Sequence, residues 1–387
     1  MQLSVIILNF NVSKFLEQCV LSVQESIQTI DAEIIIIDNN SNDDSCQMMK
    51  KRFPNIKLIE NKENSGFPKG NNIGVVQAKG EFICILNPDT VVAEDTFIKV
   101  LDFAKSKQDI GIVGCHLIDG TGNFLPESKR GVPTPWVAFT KVLGLYRYFP
   151  KNKWFNQYYA QDIDENQTGK VAILVGAFMV MKRELYNEVG GFDENCFMYS
   201  DDIDLSYMVL KKGKSNYYFH ETSVIHYKGE STIRDNTYMK RFREAMHFFY
   251  NKHFNVSIVF DVFMKIGAFF FSIFKKSQAV VITRIIDTFF MVTDDEKTKN
   301  KVENLLGKKV TTIQTTQKNT IHSLIGNDVL NYEIIFDNNY SSFKSIIQSM
   351  KELKNSNCTF KILPKNSNFI IGSNSSFDRG EIIEILE

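Results

Sequence analysis

Three aspartates fall within four positions, Asp201-Asp202-Ile203-Asp204, at the head of a stretch that reads as a helix to Lys212, stopped by Gly213. An ionised aspartate can take the proton of an attacking hydroxyl. Acids are favoured at a helix start for electrostatic reasons alone, but three carboxylates are more than a cap requires. Asn87-Pro88-Asp89 contributes one further full negative charge, and one carboxylate can share Mg²⁺ with water and phosphate oxygens. Asn64, Gly66, Gly70 and Asn71 surround the start of a helix that opens at Pro68 and stops at Gly80. Its free N–H groups and positive dipole end suit a phosphate or a nucleotide; Lys69 could add charge beside them, although an exposed lysine is the commoner explanation.

The elements that must position these residues alternate through the first third of the chain. Leu3–Leu8, Glu33–Ile37, Ile56–Ile59, Phe82–Leu86 and Ile110–Val113 are short continuous apolar runs, the pattern of strands buried on both faces. Between the first two, Phe15, Leu16, Cys19, Val20, Val23 and Ile27 recur at helical spacing. A β-α-β-α-β order implies a parallel sheet covered by helices, with ligands at the carboxyl ends of the strands. Polar residues should then cluster just after each run. They do: Asn9 after the first, Asp38-Asn39-Asn40-Ser41 after the second, Asn61 to Asn64 after the third and Asn87-Pro88-Asp89 after the fourth. These are also turn-forming residues, so one such cluster says little, whereas four in succession along one edge point to a site.

From Thr121 to about Lys170 the periodicity fades into a long excursion rich in Pro, Trp and Tyr, expected to cover the site. Order returns with a run over Val171–Met181, Val189-Gly190-Gly191-Phe192-Asp193-Glu194, the aspartate-headed helix and a strand around Val224–Tyr227. Beyond about residue 255 Phe dominates, and a second, smaller alternation follows: Glu333–Phe336, a helix from Ser341 to Lys354, Phe360–Leu363 and Phe369–Gly372, joined through a linker around Thr293–Asn300. The expected division is a catalytic domain over 1–250, a Phe-rich helical segment over 251–295 and a small α/β unit over 300–387.

Composition narrows the class. The chain has 387 residues, 45 basic and 45 acidic, 43% hydrophobic and 23% charged. This is an ordinary globular balance, without the basic excess that nucleic-acid binding usually shows. Six cysteines stand far apart with no C-x-x-C pair, and read as reduced thiols of a cytoplasmic protein rather than as a disulfide framework or a zinc site. The first run lacks a basic leader and is cut by Asn9, as in a strand and unlike a signal peptide. No stretch reaches the roughly 20 apolar residues of a membrane-spanning helix.

The ordered set Val5-Ile6-Ile7-Leu8-Asn9-Phe10-Asn11, Ile37-Asp38-Asn39-Asn40-Ser41, Asn64-Ser65-Gly66-Phe67, Gly70-Asn71-Asn72, Leu86-Asn87-Pro88-Asp89-Thr90, Gly190-Gly191-Phe192-Asp193-Glu194, Tyr199-Ser200-Asp201-Asp202-Ile203-Asp204-Leu205 and His226-Tyr227-Lys228-Gly229 resembles family 2 glycosyltransferases of the GT-A fold, in particular the rhamnosyltransferase-like branch. The match covers roughly residues 1 to 250. It implies an α/β, mostly parallel sheet flanked by helices and an inverting sugar transfer from a nucleotide-diphosphate donor, dTDP-rhamnose first and UDP-sugars next. The acceptor would be a hydroxyl of a glycan or lipid-linked saccharide in cell-surface polysaccharide synthesis.

By the same resemblance Asn9, Asp38, Asn39, Asn64, Gly66, Asn71 and Asn87 hold the nucleotide, with Asp38 accepting the imide N–H of uracil or thymine. Asp89 and His226 bind a divalent metal, Mg²⁺ or Mn²⁺, Asn87 standing where many relatives have the first acid of Asp-x-Asp. Asp202 is the general base and Asp201 replaces a glutamate of the family motif. Asp204, on another helix face, is not expected to be catalytic. Phe254 to Phe274 with Lys265, Lys275 and Lys276 reads as core, as a dimer contact or as an amphipathic helix on the inner membrane face, the last slightly favoured. The C-terminal unit shows no catalytic motif; Ile371-Gly372-Ser373-Asn374-Ser375 is a turn that could meet a phosphate or, more simply, a plain loop. Two other readings stand beside the transferase: a nucleotidyltransferase, which would want a Gly-rich basic loop where Asn9-Phe10-Asn11 stands, and a non-catalytic nucleotide-sugar-binding scaffold.

Overall fold

The computed structural model describes residues 1–149, 152–197, 199–228, 236–254, 285–317, 321, 323–324, 330–354, 356–375 and 380–385. The first apolar runs form β1 (Leu3–Asn9), β2 (Ala32–Asp38), β3 (Lys57–Glu60) and β4 (Phe82–Leu86), separated by α1 (Ser13–Ser26), α2 (Ser45–Arg52) and α3 (Gly66–Val76). There follow β5 (Thr90–Val92), α4 (Thr96–Lys105), β6 (Ile110–Ile118), α5 (Pro135–Val142), α6 (Leu145–Tyr148), β7 (Gly169–Val171), β8 (Phe178–Lys182), α7 (Arg183–Glu188), α8 (Asp201–Lys211), β9 (Ser215–His226) and α9 (Asn236–His253). The sheet runs β3-β2-β1-β4-β8-β6-β9-β5, with β7 paired to β9. β1 to β4, β6 and β9 point one way, and β5, β7 and β8 point the other. The expected mostly parallel α/β sheet is therefore present, and the ends of β1 to β4 lie along one edge.

Alternation along β1 divides the core. Leu3, Val5 and Ile7 face α1 and α4 residues such as Leu16, Val20, Phe97 and Val100. Ile6 and Leu8 fall with Val75 of α3 and with Leu205 and Val209 of α8. Burial on both faces is why β1, β2 and β4 read as unbroken apolar runs.

Several expected boundaries move. α3 begins two residues before Pro68 and ends at Val76, short of Gly80. The Val171–Met181 run is two strands, because the segment between them turns beneath the head of α8, where Gly176 N–H bonds Asp202. Around Val224 the expected short strand is the end of the long β9. α2 and α4 were missed, being short and flanked by polar turns. Of the expected Phe-rich segment, 255–284 lie outside the described residues, while Thr288–Val292 is a strand, β10, as its β-branched and aromatic side chains favour. The expected linker is a turn leading into α10 (Glu296–Leu306), capped by the Asp295 carboxylate.

The second sheet continues with β11 (Val310–Ile313), β12 (Tyr332–Asp337), α11 (Phe343–Leu353), β13 (Cys358–Leu363), β14 (Phe369–Ser373) and β15 (Glu381–Glu384), ordered β11-β10-β12-β13-β14-β15. It does not bury its apolar side alone: Ile334, Phe336, Phe343, Ile346 and Met350 share one cluster with Val12, Phe15, Val91, Ile225 and Tyr227 of the first unit. No helix among the described residues is long and apolar enough to cross a membrane, and none of the six cysteines is disulfide-bonded.

One carboxylate ties the units at a helix start. Glu94 accepts from the backbone N–H groups of Phe343 at 2.7 Å and Lys344 at 2.8 Å, a capping bond made across the seam. Replacing it by Ala is expected to cost on the order of 1–2 kcal/mol, read as a lower urea midpoint with unchanged slope. A midpoint equal to wild type would remove this contact from the list of what joins the two sheets.

Candidate active site

At the carboxyl ends of β1 and β2, Asn9 Nδ2 donates to Asp38 Oδ1 at 2.8 Å and to Ser41 Oγ at 3.1 Å. Asp38 is buried, and both of its oxygens also accept from Ser41, Oδ2 from the backbone N–H and Oδ1 from the hydroxyl. This carboxylate thus caps its own turn, a use its residue type allowed from the start, and it does so at the edge where a nucleotide was expected. Asn9 Oδ1 is buried without a hydrogen-bond partner.

Asn39 organises the next loop. Its Oδ1 accepts from Asn61 Nδ2 at 2.8 Å and Ser65 Oγ at 3.0 Å, and its Nδ2 donates to Asn64 Oδ1 and the Gly66 carbonyl. The Asn64 side chain in turn receives Gly66 N–H. Gly66 has φ of +80° and its missing Cβ would meet Phe197 at 2.8 Å, so the turn into α3 needs glycine there. Gly70 lets α3 lie on β1, since a Cβ would meet Leu8 at 2.4 Å. Asn71 bonds back to the Phe67 carbonyl, and its Oδ1 is buried without a partner.

β5 pairs with β9 so that Thr90 stands opposite His226. This brings Asn87, Asp89 and His226 together: His226 Nε2 is 3.4 Å from both Asp89 Oδ1 and Asn87 Nδ2. Asn87 Oδ1 and His226 Nδ1 are buried without a hydrogen-bond partner. One carboxylate and one imidazole suit a divalent cation completed by diphosphate oxygens and water. Among the described residues no third His, Cys, Asp or Glu joins them.

The three aspartates of α8 separate by environment. Asp204 is held at 2.5 Å by His253 Nε2 and at 2.8 Å by Lys252 Nζ, so it fastens α9 to α8. Asp202 Oδ2 accepts from Arg130 Nη2 at 2.5 Å and from Gly176 N–H at 3.1 Å. Burial works against charge on Arg130, but the Asp202 carboxylate overcomes it and holds the guanidinium above its ordinary range. A Cβ on Gly176 would stand 3.4 Å from Asp202 and 3.5 Å from the Phe67 ring, so the base candidate adjoins the turn into α3. Asp201 is pushed up to about 7, by burial first and by the neighbouring Asp202 second.

Sequence reasoning missed Arg130, Glu127 and Lys228. Glu127 and Lys228 form an ion pair. Burial alone would raise the Glu127 carboxyl, and Lys228 beside it brings it below its ordinary value. Lys228 stands within the quoted His226–Gly229 motif but was given no role there; the other two sit in the excursion, which carries no period to read.

A pH effect follows from Asp201. Its proton is held more tightly in the folded chain, so its burial costs nothing below pH 3.8 and stability is lost as pH rises from there through about 7. Asp201→Asn is therefore expected to match wild type near the acid end and exceed it at pH 8 by on the order of 4 kcal/mol, measured by urea denaturation across that range. A difference independent of pH would contradict the assignment.

Residues 4–190 match the family model described as Glycosyl transferase family 2. The chain is 28% identical over 213 residues to the N-acetylglucosaminyl-diphospho-decaprenol L-rhamnosyltransferase of Mycobacterium tuberculosis, covering 52% of this chain and 68% of that one. It is 28% identical over 131 residues to the poly(ribitol-phosphate) beta-N-acetylglucosaminyltransferase TarP of Staphylococcus aureus, covering 33% and 40% respectively. A solved mannosyltransferase from Pyrobaculum calidifontis, in complex with GDP-Man and Mn²⁺, superposes with a TM-score of 0.44 at 15% identity, covering 72% of this chain and 76% of that one. The family 2 match over residues 4–190 and these relatives support a glycosyltransferase in place of the nucleotidyltransferase and non-catalytic readings, one similar in sequence to a rhamnosyltransferase.

Proposed function

We propose that this glycosyltransferase is inverting and moves a sugar from a nucleotide-diphosphate donor to a hydroxyl of a glycan or lipid-linked saccharide during cell-surface polysaccharide synthesis. dTDP-rhamnose is the favoured donor and a UDP-sugar the next, a preference drawn from the rhamnosyltransferase to which the chain is similar. The lipid-linked acceptor is drawn from the diphospho-decaprenol in that relative's name. The expected membrane contact through Phe254 to Phe274 lies almost wholly outside the described residues.

The observation that carries the reading is the holding of Asp202. Arg130 and Gly176 engage Oδ2, and among the described residues none bonds Oδ1, so one oxygen is fixed while the other can face an acceptor. As the hydroxyl oxygen attacks the anomeric carbon, Asp202 takes its proton and the bond from that carbon to the diphosphate oxygen breaks, releasing the nucleoside diphosphate. One displacement from the opposite side inverts the centre. Asn39, Asn64 and Gly66 shape the turn against which the nucleotide rests, and Asn9, Asn71 and Asn87 each keep a buried oxygen for it. Mg²⁺ or Mn²⁺ held by Asp89 and His226 would neutralise charge on the departing diphosphate.

Asp202→Asn keeps one oxygen for Arg130 and Gly176 N–H but removes the charge facing Arg130, so it is expected to lose about 3–5 kcal/mol of stability while transfer, measured per folded molecule, falls about a hundredfold or more; turnover like wild type would remove Asp202 from the mechanism. In a thermal-shift panel of dTDP-, UDP- and GDP-sugars, one nucleotide sugar is expected to raise the midpoint, further with Mn²⁺. Asp89→Asn should abolish only the metal-dependent part. Stabilisation by none of the panel would sink the donor reading.

A further inference from the structure

Between Glu127 and Asp162 the chain carries six basic residues, Lys129, Arg130, Lys141, Arg147, Lys151 and Lys153, and no acidic one. Both of its tryptophans, Trp136 and Trp154, fall in the same stretch. Two of these cations turn inward, Arg130 to Asp202 and Lys129 to the carbonyls of Tyr159 and Ala160. Arg147 and Lys153 are exposed, and neither they nor Lys141 form an ion pair with any described residue.

The aromatic side chains of the stretch also remain outside. Trp136 is 44% exposed, Phe149 50%, Trp154 70% and Tyr148 78%. Trp136, Trp154 and Phe149 are nevertheless built into one layer. Trp136 Nε1 donates to the Trp154 carbonyl at 2.9 Å, and the Phe155 ring lies 6.0 Å from Trp136 and 5.4 Å from Phe149. The root of the layer is closed where Gly131 N–H bonds the Gln157 carbonyl at 3.0 Å and Lys141 Nζ sits 3.6 Å over the Tyr158 ring.

A fixed, exposed cluster of large aromatics means a partner surface. Trp and Tyr, with an apolar body and a polar tip, settle at the headgroup level of a bilayer, and unpaired Lys and Arg among them are drawn to anionic lipid. An acidic protein would match the charge, but the mixture of two tryptophans with unpaired cations matches a headgroup layer in both respects. We propose that the surface formed by residues 135–149 and 152–155 is the one by which this protein docks on an anionic lipid bilayer. Its root carries Arg130, so docking sets the Asp202 end of the site beside the membrane. That placement rests on the reading of a lipid-linked acceptor, whereas docking itself does not.

Since the chain has only two tryptophans and both lie in the patch, tryptophan emission, excited to the red of tyrosine absorption, reports this surface alone. With vesicles of equimolar phosphatidylglycerol and phosphatidylcholine, and no substrate present, the emission is expected to shift to the blue as the protein floats with the lipid. Phosphatidylcholine alone should give little of either. The Arg147→Glu/Lys153→Glu pair alters only exposed side chains and should weaken partition by about tenfold or more, with the thermal midpoint unchanged. Trp154→Ser gives an independent arm should charge reversal disturb the fold. Flotation without a change in emission would assign docking to another segment and overturn the proposal. So would the absence of flotation, a blue shift that depends on protein concentration without lipid, or charge-reversed protein that binds like wild type. Loss of transfer in Asp202→Asn with docking intact separates the fate of this proposal from that of the catalytic reading.

Discussion

A guanidinium and a carboxylate held at 2.5 Å in the interior, Arg130 and Asp202, are the contact on which the arrangement of the site depends. Removing one partner from a buried pair leaves a charge without compensation, typically at about 3–5 kcal/mol, so the two elements that supply them cannot move apart independently. Arg130 belongs to the root of the excursion, where its backbone N–H and carbonyl both pair with Ile173 at 2.9 Å. Asp202 belongs to the first turn of α8. The same Asp202 oxygen takes the N–H of Gly176, three residues beyond Ile173. Excursion, inter-strand segment and helix start are thus locked at one carboxylate oxygen.

That lock explains how three neighbouring aspartates acquire three uses. Asp204 faces α9 and is consumed by Lys252 and His253, so it acts as a fastener. Asp202 is paired but keeps an oxygen. Asp201, buried beside it and forming no ion pair among the described residues, has its proton affinity raised by burial first and by Asp202 second. Identical side chains at one helix terminus share the macrodipole; what separates them is which neighbouring element each side chain meets.

The legible part of this structure is the part set by local patterning. β1, β2 and β4 could be read because burial on both faces makes their runs apolar, and the Asn and Asp that follow the first three runs do meet at one edge, as Asn9 with Asp38 and Asn39 with Asn61 and Asn64. That Asp204 faces away from Asp202 followed from helical spacing. The meeting of Asp89 with His226 came from the family resemblance, since the β5–β9 pairing that makes it joins residues far apart in sequence. Arg130 and Glu127 had no period to betray them. The C-terminal strands were found by the same apolar runs as the first, yet Lys361 and Glu333, buried as an ion pair across β12 and β13, look in sequence like ordinary surface residues.

The second sheet is instructive because it repeats the architecture of the catalytic edge without its consequences. β11-β10-β12-β13 are parallel neighbours, as β4-β1-β2-β3 are. Glu-Ile-Ile-Phe-Asp-Asn-Asn at 333–339 echoes Ile-Ile-Ile-Ile-Asp-Asn-Asn at 34–40. Thr293 Oγ1 donates to Asp337 Oδ2 at 2.8 Å where Asn9 donates to Asp38 at the same distance. The resemblance ends after the last of these strands. β3 leads through the Asn64–Gly66 turn into α3, whose N-terminal N–H groups can meet an anion, whereas β13 turns back into the antiparallel β14. With no helix start at that corner among the described residues, the second edge lacks the N-terminal N–H groups that the first edge offers. Its apolar face is instead spent on Phe15 and Tyr227 of the catalytic unit, and Tyr227 follows His226 directly while its backbone N–H holds the Asp89 carbonyl at 3.0 Å. The second sheet therefore serves the first as a wall behind the Asp89–His226 pair: the same strand order, without the helix, becomes packing.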